Sequence, residues 1–169
     1  EEGLSDRLHV VRASIFDMGF VDGSLGVVWA EGSMNILGFG RALEEWRRCI
    51  RPQGFLVIHD MCWLRPNPPS EIVNCEQLAY PGIRTVSEYT ELIPTYGYDL
   101  VSHFVLPEDF WWADHFVPLQ VRIGELRRQY AGDQAAQSIL DREQRAADLY
   151  REYAHWYGSA FLILQKREP

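Results

Sequence analysis

The stretch from Leu25 to Asp60 constrains this chain more than any other, because it reads as strand, helix and strand in immediate succession. Leu25 to Trp29 is continuously apolar, the pattern of a strand covered on both faces. From Phe39 the apolar positions fall at Leu43, Trp46 and Ile50, with Glu44, Glu45, Arg47 and Arg48 between them, which is helical spacing. Pro52 disfavours helix at Arg51, Gly54 permits a tight turn, and Phe55 to Ile58 form the next buried strand. Such a βαβ unit belongs to an open α/β sheet, which holds its ligand outside the carboxyl ends of its strands, where the strand order reverses. Glu31 and Asp60 each stand just past a strand and point toward a site of that kind. No Gly-rich turn able to cradle a nucleotide or cofactor tail precedes the unit.

Around this centre the pattern extends both ways. Leu8 to Val11 is a short apolar run that reads as a strand, followed by a loop at Asp17-Met18-Gly19 and a turn at Asp22-Gly23-Ser24. Beyond Asp60, Leu64 to Pro69 is a stiff Pro-rich connection expected to cover the strand ends, and a short helix follows around Ser70 to Ala79. Thr85 and Glu88 have capping-box spacing for another helix, which Pro94 should kink or shorten before Gly97 ends it. Asp99 to Leu106 and Tyr157 to Lys166 read as two more strands. Between them lie two amphipathic helices, about Pro118 to Tyr130 and about Gln134 to Ala154, in an insertion spanning roughly residues 107–156. No linker or repeat divides the 169 residues, so the chain reads as part of one domain.

Composition excludes several function classes. A net charge of −8 and a pI near 5.1 do not suit nucleic acid, whose phosphates demand clustered Lys and Arg. No apolar run reaches the roughly 18 residues of a membrane span, so a cytoplasmic address is the default expectation. Cys49, Cys62 and Cys75 are odd in number and far apart, which points to reduced packing thiols and neither a disulfide framework nor a metal site.

Several segments together resemble a known family: Phe20-Val21-Asp22-Gly23-Ser24, Trp29-Ala30-Glu31-Gly32, Glu45-Trp46-Arg47, Arg51-Pro52-Gln53-Gly54, Val105-Leu106-Pro107-Glu108, Tyr130-Ala131-Gly132 and Tyr153 to Gly158. Their order and spacing resemble the C-terminal two-thirds of a class I S-adenosylmethionine-dependent methyltransferase, in a subgroup acting on small molecules. Where that family usually turns on Pro-Gly-Gly, this chain has Gln53 in place of the first Gly. The resemblance implies an incomplete Rossmann-like α/β sheet with helices on both faces and a two-helix insertion before the last strand. It also implies that a first strand, a Gly-rich cofactor loop and a ribose-binding acidic residue are missing, roughly 60 to 80 residues at about 30 per βαβ unit.

Site residues follow from the resemblance. S-adenosyl-L-methionine is the implied cofactor, with Ser14, Ile15 and Phe16 along its adenine and Trp29, Glu31 and Gly32 near its methionine end; Gly32 permits close backbone approach. Asp60 is the candidate base or anchor for the acceptor, unless its carboxylate is bonded to loop amides. His59 should face the opposite side of the strand and pack. Trp63, Phe110, Trp111, Trp112 and His115 either wall an acceptor pocket or belong to plain core. His115 has no second ligand at metal spacing, and no metal is expected.

The expected function is methyl transfer to a small molecule by the parent protein, with Glu31 and Asp60 as catalytic residues and this chain inactive alone. Two rivals stand beside it, a non-catalytic interaction or regulatory α/β module and, more weakly, a nicotinamide oxidoreductase. The sheet carries a further expectation. Without a first strand, Leu25 to Trp29 has a bare edge, so either Leu8 to Val11 pairs with it or two copies join there as a homodimer.

Overall fold

The computed structural model describes residue 3, residues 6–80 and residues 82–168, excepting the side chains of 75–79. Four strands, β1 (Leu25–Glu31), β2 (Ile50–Trp63), β3 (Tyr98–Val105) and β4 (Tyr157–Lys166), form one sheet in the order β1-β2-β4-β3. β1 and β2 are parallel, and β4 runs antiparallel to both β2 and β3.

The crossover from β1 to β2 is a short helix α1 (Met34–Leu37) followed by α2 (Phe39–Cys49), parted at Gly38 with φ of +81°. The apolar stripe read from the sequence is what α2 buries: Ala42, Leu43 and Trp46 are sealed against the sheet. After α2 the pairing jumps from Leu25↔Ile50 to Val27↔Phe55, leaving Arg51 to Gly54 as an irregular stretch within β2. Gln53 sits there at φ of +60°, a left-handed conformation that glycine adopts without cost.

Beyond β2 come α3 (Ser70–Ala79) and α4 (Val86–Leu92). The capping box that starts α4 is complete: Thr85 Oγ1 accepts from Glu88 N at 3.1 Å and Glu88 Oε2 accepts from Thr85 N at 2.7 Å. Pro94 stands in a 3₁₀ turn, Ile93–Tyr96, that shortens the helix before Gly97 at φ of +76°. Between β3 and β4 lie α5 (Glu108–Trp111), a π-helical turn over Trp112–Phe116, α6 (Val117–Gln129) and α7 (Gln134–Tyr153). Asp133 starts α7 by accepting from the N–H groups of Ala135 and Ala136, both at 3.0 Å.

The two sheet faces are covered unequally. Leu56, Ile58 and Cys62 of β2, with Ala160, Leu162 and Leu164 of β4, pack under α1, α2 and α4 in the main core. On the opposite face Trp29, Val57, His59, Phe161 and Phe104 form a row of apolar and aromatic groups, of which Trp29 and Phe104 are exposed. Helices cover that face only toward the carboxyl end of β2, where Trp63, Ile72, Tyr150, Ala154 and Tyr157 make a second core with Trp111 and Phe116 against it.

Leu8 to Val11 is not a strand. These residues are irregular and exposed, Val10 completely so. So short a run has neither a ladder partner nor a core to face, and Arg7, His9 and Arg12 break its apolar surface. The pairing of this segment with β1 is thereby overturned: among the described residues no strand lies beside the outer edge of β1. Cys49 and Cys62 are buried and form no disulfide; Cys75's side chain lies outside the described residues. No helix in the described residues is long and apolar enough to cross a membrane.

Candidate functional site

At the carboxyl ends of β1 and β2 the sheet opens into a cavity of about 230 Å³, lined by Glu31, Gly32, His59, Asp60, Trp111 and Ser159 together with Met61 and Tyr80. Trp29 and Glu31 share one face of β1, and Trp29 Nε1 donates to Glu31 Oε1 at 2.5 Å, fixing the carboxylate over the strand end. Gly32 then turns the chain at φ of +58° while its N–H donates to His59 O at 2.9 Å, so the turn stays tied to β2. A Cβ built on Gly32 would meet nothing within 4 Å, leaving room for a ligand beside the backbone.

Asp60 is on the main-core face of β2 and is 7% exposed. Its Oδ1 accepts from Met61 N at 2.8 Å and its Oδ2 from Asn35 N at 3.2 Å, so the carboxylate ties β2 to the start of α1. Burial pushes this carboxyl above the usual carboxylate range, while the N–H groups of Met61, Asn35 and Met34 and the nearby His59 pull it the other way.

His59 points to the opposite face, as the alternation of a strand requires. Its ring lies nearly parallel to Phe161, centroids 4.5 Å apart, and to Trp111 at 6.0 Å. Trp111 in turn is held by its Nε1, which donates to Ser159 Oγ at 2.8 Å. His59 therefore packs among aromatic rings and also lines the cavity, which alternation alone does not reveal. Burial lowers its pKa, opposed by Glu31 and Asp60.

Other candidates lie elsewhere. Ser14, Ile15 and Phe16 do not line the cavity: Ser14 Oγ accepts from Phe16 N at 3.2 Å, Ile15 packs on the main core, and the Phe16 ring lies 5.2 Å from the Arg41 guanidinium. Trp63 is buried in the second core against Tyr157. His115 is exposed, its ring perpendicular to Trp111 with centroids 6.0 Å apart, and it does not line the cavity. Trp112 packs on Phe116 under Arg151. Ser159 and Tyr80 are cavity residues that local pattern does not single out. Ser159 enters only because β4 places it opposite Met61, a pairing set by register across the fold.

The family model described as a methyltransferase domain matches residues 1–58. Among solved structures, the chain is similar to a SAM-dependent methyltransferase from Geobacter sulfurreducens in complex with S-adenosyl-L-homocysteine, with a TM-score of 0.77 and 20% identity over 98% of this chain and 67% of that one. A SAM-dependent methyltransferase from Thiobacillus denitrificans, also in complex with S-adenosyl-L-homocysteine, matches with a TM-score of 0.71 and 16% identity, covering 89% and 62%. The 4+2 cyclase SpnF matches with a TM-score of 0.70 and 18% identity, covering 99% and 58%. The chain thus spans two-thirds or less of these structures, and it has their fold, that of the class I methyltransferases.

Proposed function

We propose that this chain, with its class I methyltransferase fold, is the C-terminal part of an S-adenosylmethionine-dependent methyltransferase acting on a small molecule, and that it is inactive by itself. The observation that carries this reading is the cavity at the ends of β1 and β2, where Glu31 and Asp60 meet under an aromatic wall. The match of residues 1–58 to a methyltransferase domain supports it. The coverage of 58–67% of the three structures described above supports the reading as a part, as does the bare edge of β1.

The residues present suit one end of the cofactor. Its sulfonium is a cation, which the Glu31 carboxylate and the Trp29 indole that bonds to it both favour, and the open space beside Gly32 admits a ligand. Bound there, the cofactor supplies an activated methyl group, and the protein has only to position the acceptor and receive its proton. Glu31 lies on the donor side and Asp60 on the acceptor side, with Trp111 walling the acceptor. A net charge of −8 favours a small acceptor over nucleic acid, and a cytoplasmic location is part of the proposal.

The test is the full-length parent incubated with S-adenosylmethionine and a metabolite pool, read as a mass shift of one methyl group. Glu31→Gln and Asp60→Asn should each lower turnover, Glu31→Gln also weakening cofactor binding; wild-type rates in both variants would refute the assignment. One alternative is an enzyme that uses this fold for a reaction other than methyl transfer, since a protein named as a cyclase shares it. Cofactor binding without any methylated product would favour it, and absence of cofactor binding would favour a non-catalytic module.

A further inference from the structure

The helical cap holds a second cavity, of about 310 Å³, that shares no lining residue with the one at the strand ends. It lies between α5 and the end of α7 and is lined by Glu108, Asp109, Trp112, Tyr150, Arg151 and Ala154. Trp111 and Trp112 are successive residues, yet they serve different cavities. The volume falls at the lower end of small-molecule pockets, roughly 300–1,000 Å³. Its floor is buried: Tyr150 is 2% exposed and Ala154 6%, and the Tyr150 hydroxyl donates to Glu108 O at 3.1 Å, tying α5 to α7.

The charges on its walls are opposite in sign and unpaired. Arg122, Arg127, Arg142 and Arg145 of α6 and α7 each meet a carboxylate. Arg151 does not: among the described residues its guanidinium, 5.2 Å from the Trp112 ring centroid, makes no ion pair or hydrogen bond, although Glu108 and Asp109 line the same cavity. Those two carboxylates likewise have no cation partner among the described residues. Burial first, and then the charges of Glu108 and Asp109, push the Tyr150 phenol up to about 12, so the field of the carboxylates reaches the cavity floor. A plain cation in this space would meet the repulsion of Arg151, and a plain anion that of the carboxylates. A molecule carrying both signs satisfies all three groups at once.

We propose that this cavity binds a small zwitterion, an apolar α-amino acid, with its ammonium on Glu108 and Asp109, its carboxylate on the Arg151 fork and its side chain against Trp112, Tyr150 and Ala154. The site is separate from the cavity at the strand ends. It does not depend on the methyl-transfer reading, and no bond is made or broken in it.

The test labels this chain with ¹⁵N-tryptophan and follows the indole N–H resonances, that of Trp112 being identified by its loss in Trp112→Phe. The chain is titrated with phenylalanine, with phenethylamine, which lacks the carboxylate, and with 3-phenylpropionate, which lacks the ammonium. Phenylalanine should give its largest shift at Trp112 and bind about tenfold more tightly than either analogue, the scale of one hydrogen bond to a charged group. Arg151→Gln should abolish the preference over phenethylamine, and the double variant Glu108→Gln, Asp109→Asn the preference over 3-phenylpropionate. All three side chains are exposed, so these variants keep the fold, which circular dichroism checks. No movement of Trp112 at millimolar phenylalanine, or equal binding of phenylalanine and either analogue, would overturn the proposal. So would a largest shift at Trp111, which places the ligand in the other cavity, or a preference over phenethylamine that survives Arg151→Gln.

Discussion

Replacing Gly54 by Ala should destabilise the chain through contact, not through backbone strain. Gly54 closes the irregular stretch between α2 and the straight part of β2, and it is not one of the left-handed glycines. A Cβ built on it would stand 2.7 Å from Ile50 Cγ2, 2.9 Å from the carbonyl oxygen of Gly26 and 3.0 Å from that of Arg51. Ile50 is completely buried, and Gly26 belongs to the neighbouring strand, so none of the three can yield cheaply. Overpacking of this kind costs about 1–3 kcal/mol, and Ala recovers about 0.4–1 kcal/mol by restricting the unfolded chain. The net loss should be about 1–2 kcal/mol, lowering Tm by roughly 2–8 °C for a chain of this size. Gly124 supplies the control. It sits within α6, where a Cβ meets nothing within 4 Å, so Gly124→Ala should gain about 0.5–1 kcal/mol from helix propensity. Urea unfolding of both variants, compared at constant slope, decides the matter. A Gly54→Ala loss below about 0.5 kcal/mol, or a gain like that of Gly124→Ala, would show that the β1–β2 junction relaxes freely and that the steric argument is wrong.

The raised Asp60 carboxyl makes its protonated form the better one in the folded state, so its contribution to stability falls as pH climbs from its unfolded value near 3.8 through its folded one. The stability of Asp60→Asn relative to wild type should therefore improve over that window and level off above it; a difference that shifts against the variant would reverse the assignment. Calorimetric titration of this chain with S-adenosylmethionine should give no low-micromolar Kd, because contacts near Glu31 and Gly32 alone cannot offset the lost freedom of the ligand. Light scattering should show copies associating through the bare edge of β1, and Val27→Lys, a charge beside that edge on an exposed side chain, should weaken the association; a monomer at high concentration would end the dimer expectation.

Local pattern was enough for most of the elements. The stripe Leu43, Trp46, Ile50 specified α2, Thr85 with Glu88 specified the start of α4, and Tyr157 to Lys166 is β4 to the residue. These are cases in which a few neighbouring residues determine the backbone, through the 3.6-residue period, a reciprocal cap or a run of apolar groups. Leu8 to Val11 shows where such reasoning stops. A strand exists only through its ladder, and whether a partner edge lies beside an apolar run is not written in the run itself. The site divides in the same way. Glu31, Gly32 and Asp60 could be placed at the cavity because each follows a strand that the sequence declares. The stacking of His59 on Phe161, the wall formed by Trp111 and the entry of Ser159 depend on β4 lying antiparallel beside β2 and on the helical cap folding back over both. Those contacts join residues about 50 to 100 positions apart, and only tertiary packing brings them together.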